Sequence, residues 1–196
     1  MVSKTREKFI EVARQLFARK GVENTTMNDI ASASSKGRRT IYTYFKSKTE
    51  IFNAVIETET DKILSRLRIT LAKPISPDEK IRDYVSERFD AMKEIVGRNG
   101  SLRAGFFRDV RKVERAQRII ASKETAILCE ILEEGVKAGD FEIADIKKQA
   151  IIILYSIQGL VVPFIRDGLM EKGISQDQIK EMTANLILNG IRSENS

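Results

Sequence analysis

The sequence predicts an all-α protein: an N-terminal three-helix unit built around a helix-turn-helix, followed by a larger helical bundle. Three observations carry this. Apolar residues recur at helical spacing along most of the 196-residue chain. Helix starts are marked repeatedly by Ser or Thr three residues before an acid or Gln. Strand-type alternation bounded by turn dipeptides is missing, as are internal repeats and low-complexity segments. With 42% hydrophobic residues the chain can bury a core of ordinary domain size.

Phe9, Val12, Ala13, Leu16 and Phe17 fall at i, i+3, i+4, i+7 and i+8, one apolar face of a helix over about 4 to 20. Arg19 and Lys20 suit its C-terminal dipole and Gly21 stops it. Thr26 and Asp29 form a capping box that opens a short second helix with Ile30 and Ala31 facing inward. The turn-prone run Ser32 to Gly37 ends it, and Ile41 and Phe45, one turn apart, aim a third short helix at the same core. Ser47 and Glu50 open a long fourth helix carrying Phe52, Val55, Ile56, Ile63 and Leu67. Pro74 and the start signal Ser76-Pro77-Asp78-Glu79 introduce a helix over about 78 to 97. Further helices are expected near 110 to 137, 145 to 167 and 175 to 191, the last opened by Ser175 and Gln178 with an Ile174 to Ile179 staple.

Charge is distributed unevenly. Residues 1 to 50 hold 11 Lys+Arg against 5 Asp+Glu, the whole of the net +6, and no acid occurs from Ile30 through Thr49. Within that window lies KGRRTIYTYFKSK, residues 36 to 48. At about 100° per residue, turning Ile41 and Phe45 inward places Arg39, Tyr42, Thr43 and Lys46 on the opposite face, with Arg38 on its flank. A basic second helix in a helix-turn-helix is the arrangement that enters the DNA major groove. Arg can donate twice to guanine O6 and N7, Thr offers a hydroxyl and a methyl, and Lys and Tyr suit phosphate oxygens.

Other functions are disfavoured. One cysteine and no histidine leave no intrachain disulfide, no His-containing zinc site and no Ser-His-Asp or Cys-His pair, so no catalytic residue, metal or cofactor is expected. Charges interrupt the N-terminal apolar residues, so we read no secretory signal and expect a cytoplasmic protein. The apolar run AIIILYSIQGLVV, 150 to 162, falls short of a bilayer span and reads as a buried or interface helix, with no membrane partner. Cys129, between Leu128 and Ile131, reads as a packing thiol.

The segment from Thr25 to Leu64 resembles the DNA-binding domain of the tetracycline-repressor (TetR) family. The match rests on Thr25-Thr26, Asp29-Ile30-Ala31, Thr40-Ile41-Tyr42, Tyr44-Phe45 and Lys46-Ser47-Lys48 with Glu50. The resemblance is specific over about 5 to 65 and architectural beyond. It implies that Thr26, Tyr42 and Lys48 grip phosphates, while Arg38, Arg39, Thr40, Thr43 and Tyr44 approach bases. Where the family usually shows Gly-Val-Ser between the two helices, this chain has Ser35, Lys36 and Gly37, so a serine hydroxyl gives way to the charge of Lys36.

The expected division is a DNA-binding domain over 1 to 47 and an effector-binding and dimerisation domain over 48 to 196. The helix near 145 to 167 is apolar on more than one face, so Ile153, Ile157, Leu160 and Val161, with Met182, Leu186 and Ile187 of the last helix, resemble the family's four-helix homodimer interface. A plain core helix accounts for the same residues. In the family the middle helices enclose a cavity for a small-molecule effector. Residues 98 to 118 hold seven Lys+Arg against two acids, a composition that suits either an amphipathic anion or a solvated helix face. Arg103, Phe106, Phe107, Tyr155 and Gln158 are the lining candidates. The expectation is therefore a homodimeric repressor bound to double-stranded DNA and released by an effector. Alternatives are a C-terminal domain that takes a protein partner instead, a nonspecific DNA-coating protein, or an enzyme working with carboxylates alone.

Overall fold

In the computed structural model, residues 2–99 and 110–193 are described, with side chains over 4–98 and 121–193. Among these residues eight α-helices follow in order: α1 Val2–Lys20, α2 Met27–Ala33, α3 Arg38–Tyr44, α4 Lys48–Leu71, α5 Pro77–Asn99, α6 Val110–Ala138, α7 Ile146–Ile165 and α8 Gln176–Asn189. A 3-10 turn spans Met170–Lys172. No strand forms among the described residues, only one antiparallel bridge between Phe141 and Arg192. The expected helices are all present. The start signals of α2 and α8 act as read, with reciprocal capping boxes joining Thr26 with Asp29 and Ser175 with Gln178. The cap of α7, Asp145 through the Lys148 N–H, is not among the signals read from the sequence.

The chain divides into two compact units, Met1–Asp61 with Ile95–Arg118, and Lys62–Glu94 with Ile119–Ser196. The first is organised by one apolar cluster. Phe9, Ala13 and Phe17 from α1, Ile30 and Ala31 from α2, Ile41 from α3, Phe45, and Ile51, Phe52 and Val55 from α4 are all buried in it. Phe17 meets Phe52 edge-on at 6.1 Å. Each Phe, Ile or Val among them contributes roughly 1.5–3 kcal/mol on withdrawal from water, which fixes two short helices too small to stand alone.

In the second unit Tyr84, Phe89, Leu128, Ile157, Phe164 and Leu188 are fully buried. The Phe89 and Phe164 rings lie 4.7 Å apart. Lys180 pairs with Asp90 and Lys80 with Glu134. The backbone N–H of Glu142 donates to the Ile191 carbonyl at 2.9 Å, tying the segment after α6 to the end of α8. At its side, Phe141 packs so closely on Gly135 that a side chain there would require the ring to shift.

One sequence expectation changes. The 13-residue apolar run is embedded in a 20-residue helix, because Lys147, Lys148 and Gln149 extend it backward and Pro163 to Ile165 forward. By length and composition α7 is long and apolar enough to cross a membrane. Its apolar residues divide between two faces: Ala150, Ile153, Leu154, Ile157, Val161 and Phe164 are buried, while Ile152, Tyr155 and Val162 are exposed. Cys129 is half-buried, and burial pushes its thiol up, which suits packing better than redox chemistry.

Candidate nucleic-acid interface

The first unit presents α3 on a scaffold made rigid from both ends. At the start of α2, the Thr26 hydroxyl accepts from the Asp29 N–H at 3.1 Å while the Asp29 carboxylate accepts from the Thr26 N–H at 2.8 Å. Lys20 donates to the same carboxylate at 2.9 Å. The Lys20 bond and the capping contacts hold the Asp29 carboxyl down from its ordinary 3.8 to about 2. At the start of α4, Glu50 accepts from the Lys46 N–H at 2.7 Å and the Ser47 hydroxyl accepts from the Glu50 N–H at 3.2 Å. Both acids flanking the acid-free window are thus engaged in helix starts, which leaves the positive field between them in place.

The turn between α2 and α3 closes through the Lys36 N–H to the Ala31 carbonyl, 3.0 Å. It requires a left-handed residue, and Ser35 takes that conformation with φ +56°. Gly37 is the N-cap of α3 and makes no side-chain cap bond. The departures from the family's Gly-Val-Ser therefore put a side chain where glycine is easier and glycine where a side chain could cap.

On α3, Ile41 is fully buried with Phe45 just beyond it. Arg38, Arg39, Tyr42 and Thr43 are exposed and Thr40 half-exposed, as rotation predicts. Among the described residues no ion pair holds Lys36, Arg38, Arg39 or Lys46. The Arg38 guanidinium lies over the Tyr42 ring at 5.8 Å, so Arg38 is partly occupied and Arg39 is the arginine left to reach outward. Thr43 donates its hydroxyl to the Thr40 carbonyl at 2.6 Å, which leaves its methyl and an acceptor lone pair outward.

Two expected DNA contacts sit differently from the rest. Tyr44 is half-buried, its ring 5.8 Å from Phe9, and packs against the core cluster. Lys48 donates its ammonium to the Val22 and Glu23 carbonyls at 2.7 and 3.3 Å, joining the start of α4 to the turn after α1. Its remaining N–H is what it can offer to a phosphate. Sequence reading missed Arg6, whose guanidinium lies 5.3 Å from the Phe45 ring; its signal was a basic residue one turn before the apolar face of α1.

In the second unit, Ile153, Ile157, Val161 and Ile187 face the interior of their own chain. Exposed apolar side chains include Ile152, Tyr155 and Val162 on α7 and Met182 and Leu186 on α8, the last two 60% and 73% exposed; Ile69, Val136 and Met170 are exposed elsewhere in the unit. Leu160 is half-buried. Tyr155 belongs to this exterior stripe and Gln158 is half-buried beside it. Arg103, Phe106 and Phe107 lie outside the described residues.

Comparison with known proteins agrees with this geometry. Residues 9–55 match the family model described as bacterial regulatory proteins, tetR family. The Bacillus subtilis protein named as the uncharacterized HTH-type transcriptional regulator YfiR is 23% identical over 180 residues, 90% of this chain and 83% of that protein. The probable acrEF/envCD operon repressor of Escherichia coli (strain K12) is 36% identical over 81 residues, 41% of this chain and 37% of that protein. Among solved structures, a transcriptional regulator of the TetR/AcrR family from Thermobifida fusca superposes with a TM-score of 0.67 at 29% identity, covering 96% of this chain and 98% of that one.

Proposed function

We propose that this chain, which belongs to the TetR family of DNA-binding transcriptional regulators, acts as a cytoplasmic homodimeric repressor that reads a palindromic operator and leaves it when a small molecule binds. The observation that carries the reading is α3: an outward face of Arg39, Tyr42 and Thr43, free of acids and, among the described residues, of ion pairs, on a helix locked by Ile41. Thr26, Lys36, Tyr42, Lys46 and Lys48 are assigned to phosphates, and Arg38, Arg39, Thr40 and Thr43 to the base side of the helix, with the half-buried Tyr44 at the edge between that side and the core. Arg39 is the principal base reader, since Arg38 leans on Tyr42.

One helix-turn-helix buries too little surface to single out a genomic site, so pairing is required. The outward stripe on α7 and α8 supports a dimer through those helices. Gly159 lies in the same stripe, with nothing within 4 Å of where its side chain would be, which suits two α7 helices crossing closely. Residues 48 to 196 are thus assigned to dimerisation and effector binding. A solved regulator from Saccharomonospora viridis, of similar fold at a TM-score of 0.72 and 19% identity, holds choline, which supports an effector of small-molecule size.

The test is selection of random duplex DNA on the purified protein at about 150 mM salt, where nonspecific phosphate binding is weakened. Recovery of a palindrome is expected. Failure to enrich any sequence would overturn base reading and leave only a basic surface.

A further inference from the structure

The second unit contains a buried charged cluster that DNA binding does not use. Arg88 on α5 and Glu124 on α6 form an ion pair with side chains 7% and 1% exposed. Arg88 donates through Nε to Glu124 Oε1, and the Tyr84 hydroxyl donates to the same oxygen at 2.8 Å. Burial, then the Glu124 charge, pushes the Tyr84 hydroxyl well above its ordinary range, so it remains a donor. The neighbours of the cluster along both helices are apolar: Ile81, Val85 and Phe89 lie within two turns of Arg88 on α5, and Ile127 and Leu128 follow Glu124 on α6, all buried. One edge of the guanidinium is unused. Arg88 Nη1 is buried and has no hydrogen-bond partner among the described residues.

A charged N–H withdrawn from water without an acceptor is unfavourable, and native interiors supply one. Among the described residues none is supplied here. The charge of Arg88 is already balanced by Glu124, so a second carboxylate would bring an uncompensated negative charge beside Glu124 in a low-dielectric interior. An uncharged oxygen meets the need without that penalty, and the surrounding residues suit an apolar remainder.

We propose that Arg88 Nη1 is the polar anchor of the effector site, and that the effector is an uncharged, mostly apolar molecule offering a carbonyl or hydroxyl oxygen. This departs from the amphipathic anion that the basic run at 98 to 118 suggests. It rests on reading the chain as a ligand-responsive regulator.

The experiment uses matched probes that differ in charge: 2-octanone against octanoate, and 2-acetonaphthone against 2-naphthoate, titrated into the full-length protein in thermal-shift assays. At least one ketone is expected to raise the melting midpoint saturably, with its carboxylate partner ineffective. Arg88→Met/Glu124→Gln removes the donor together with the charge that needs it. That variant should lose about ten- to hundredfold in ketone affinity, the worth of one hydrogen bond from a charged donor. Arg88→Lys, which keeps the ion pair but not the second donor edge, should lose affinity similarly and stands in should the double variant misfold. Carboxylates binding as well as ketones, ketone affinity surviving in both variants, or no probe binding at all would each overturn the proposal. Operator binding measured on the same samples separates the two readings: an unselective protein sinks the regulator, whereas a selective one indifferent to ketones sinks only this site.

Discussion

Replacing Gly159 with Arg should separate folding from assembly. In the protomer the position is exposed and a Cβ there meets nothing within 4 Å, so the fold has room for a long side chain. Removing a glycine from a helix interior should stabilise the monomer by about 0.5–1 kcal/mol. The dimer responds oppositely. Ile152, Tyr155, Val162, Met182 and Leu186 are 38% to 73% exposed in the single chain. Covering the exposed half or so of each gives roughly 1 kcal/mol per side chain, or about 10 kcal/mol gross from both protomers. Association costs about 4–15 kcal/mol before any net affinity appears, so the balance depends on close contact along the whole stripe. A guanidinium in the middle of it would hold the helices apart and forfeit most of that gain. Light scattering should then report the chain mass of 22.2 kDa in place of twice that value. Wild-type melting should rise with protein concentration, as linked dimerisation requires, and melting of the variant should not. Binding to a palindrome should fall toward half-site affinity. A Gly159→Arg protein that remains dimeric, with concentration-dependent melting, would place the interface elsewhere.

Gly135→Ala should be destabilising despite the better helix former, since its Cβ would lie 2.1 Å from Phe141 Cδ2 and Phe141 is only 3% exposed. Overpacking of about 1–3 kcal/mol should lower the melting midpoint by roughly 3–10 °C, and a smaller residue at 141 should relieve part of it. Arg39→Ala should weaken operator binding by about 1–3 kcal/mol while sparing random DNA; equal losses on both would refute its base-reading role. Lys48→Met should weaken binding to all sequences and also cost about 1 kcal/mol of stability, through the carbonyls of Val22 and Glu23 that it leaves unmatched. Asp29, held near 2 against an ordinary 3.8, adds stability that is fully present above about pH 4 and disappears as pH falls toward 2. In chemical denaturation between pH 2 and 5, Asp29→Asn should flatten that part of the profile.

Most of the first unit was legible in the sequence because its signals are local. A capping box is complete within four residues, and an apolar face within nine. Thr26 with Asp29, and Phe9 with Phe17, therefore declare their helices without knowledge of distant partners. Rotation about Ile41 likewise sufficed to expose Arg39 and Thr43. What remained hidden depends on contacts between distant segments. Nothing near Lys48 in the chain shows that its ammonium reaches carbonyls 25 and 26 residues earlier, and nothing near Tyr44 shows that its ring meets Phe9. On α7 the sequence revealed too many apolar residues for one face. It could not say which face the protomer itself would cover, because that depends on how the helix packs with α8.

Arg88 illustrates the same division at the level of function. The sequence did carry a trace of it: a charge one turn from Tyr84, within a stretch where Ile81, Val85 and Phe89 all turn inward. By pattern alone such an arginine reads as the edge of a solvated face. Its partner, Glu124, lies 36 residues away on another helix, and only their meeting makes the charge affordable in the interior. That pairing also decides what else can enter. An arginine awaiting its counterion would select an anion; one already neutralised, with an idle N–H, selects an oxygen without charge.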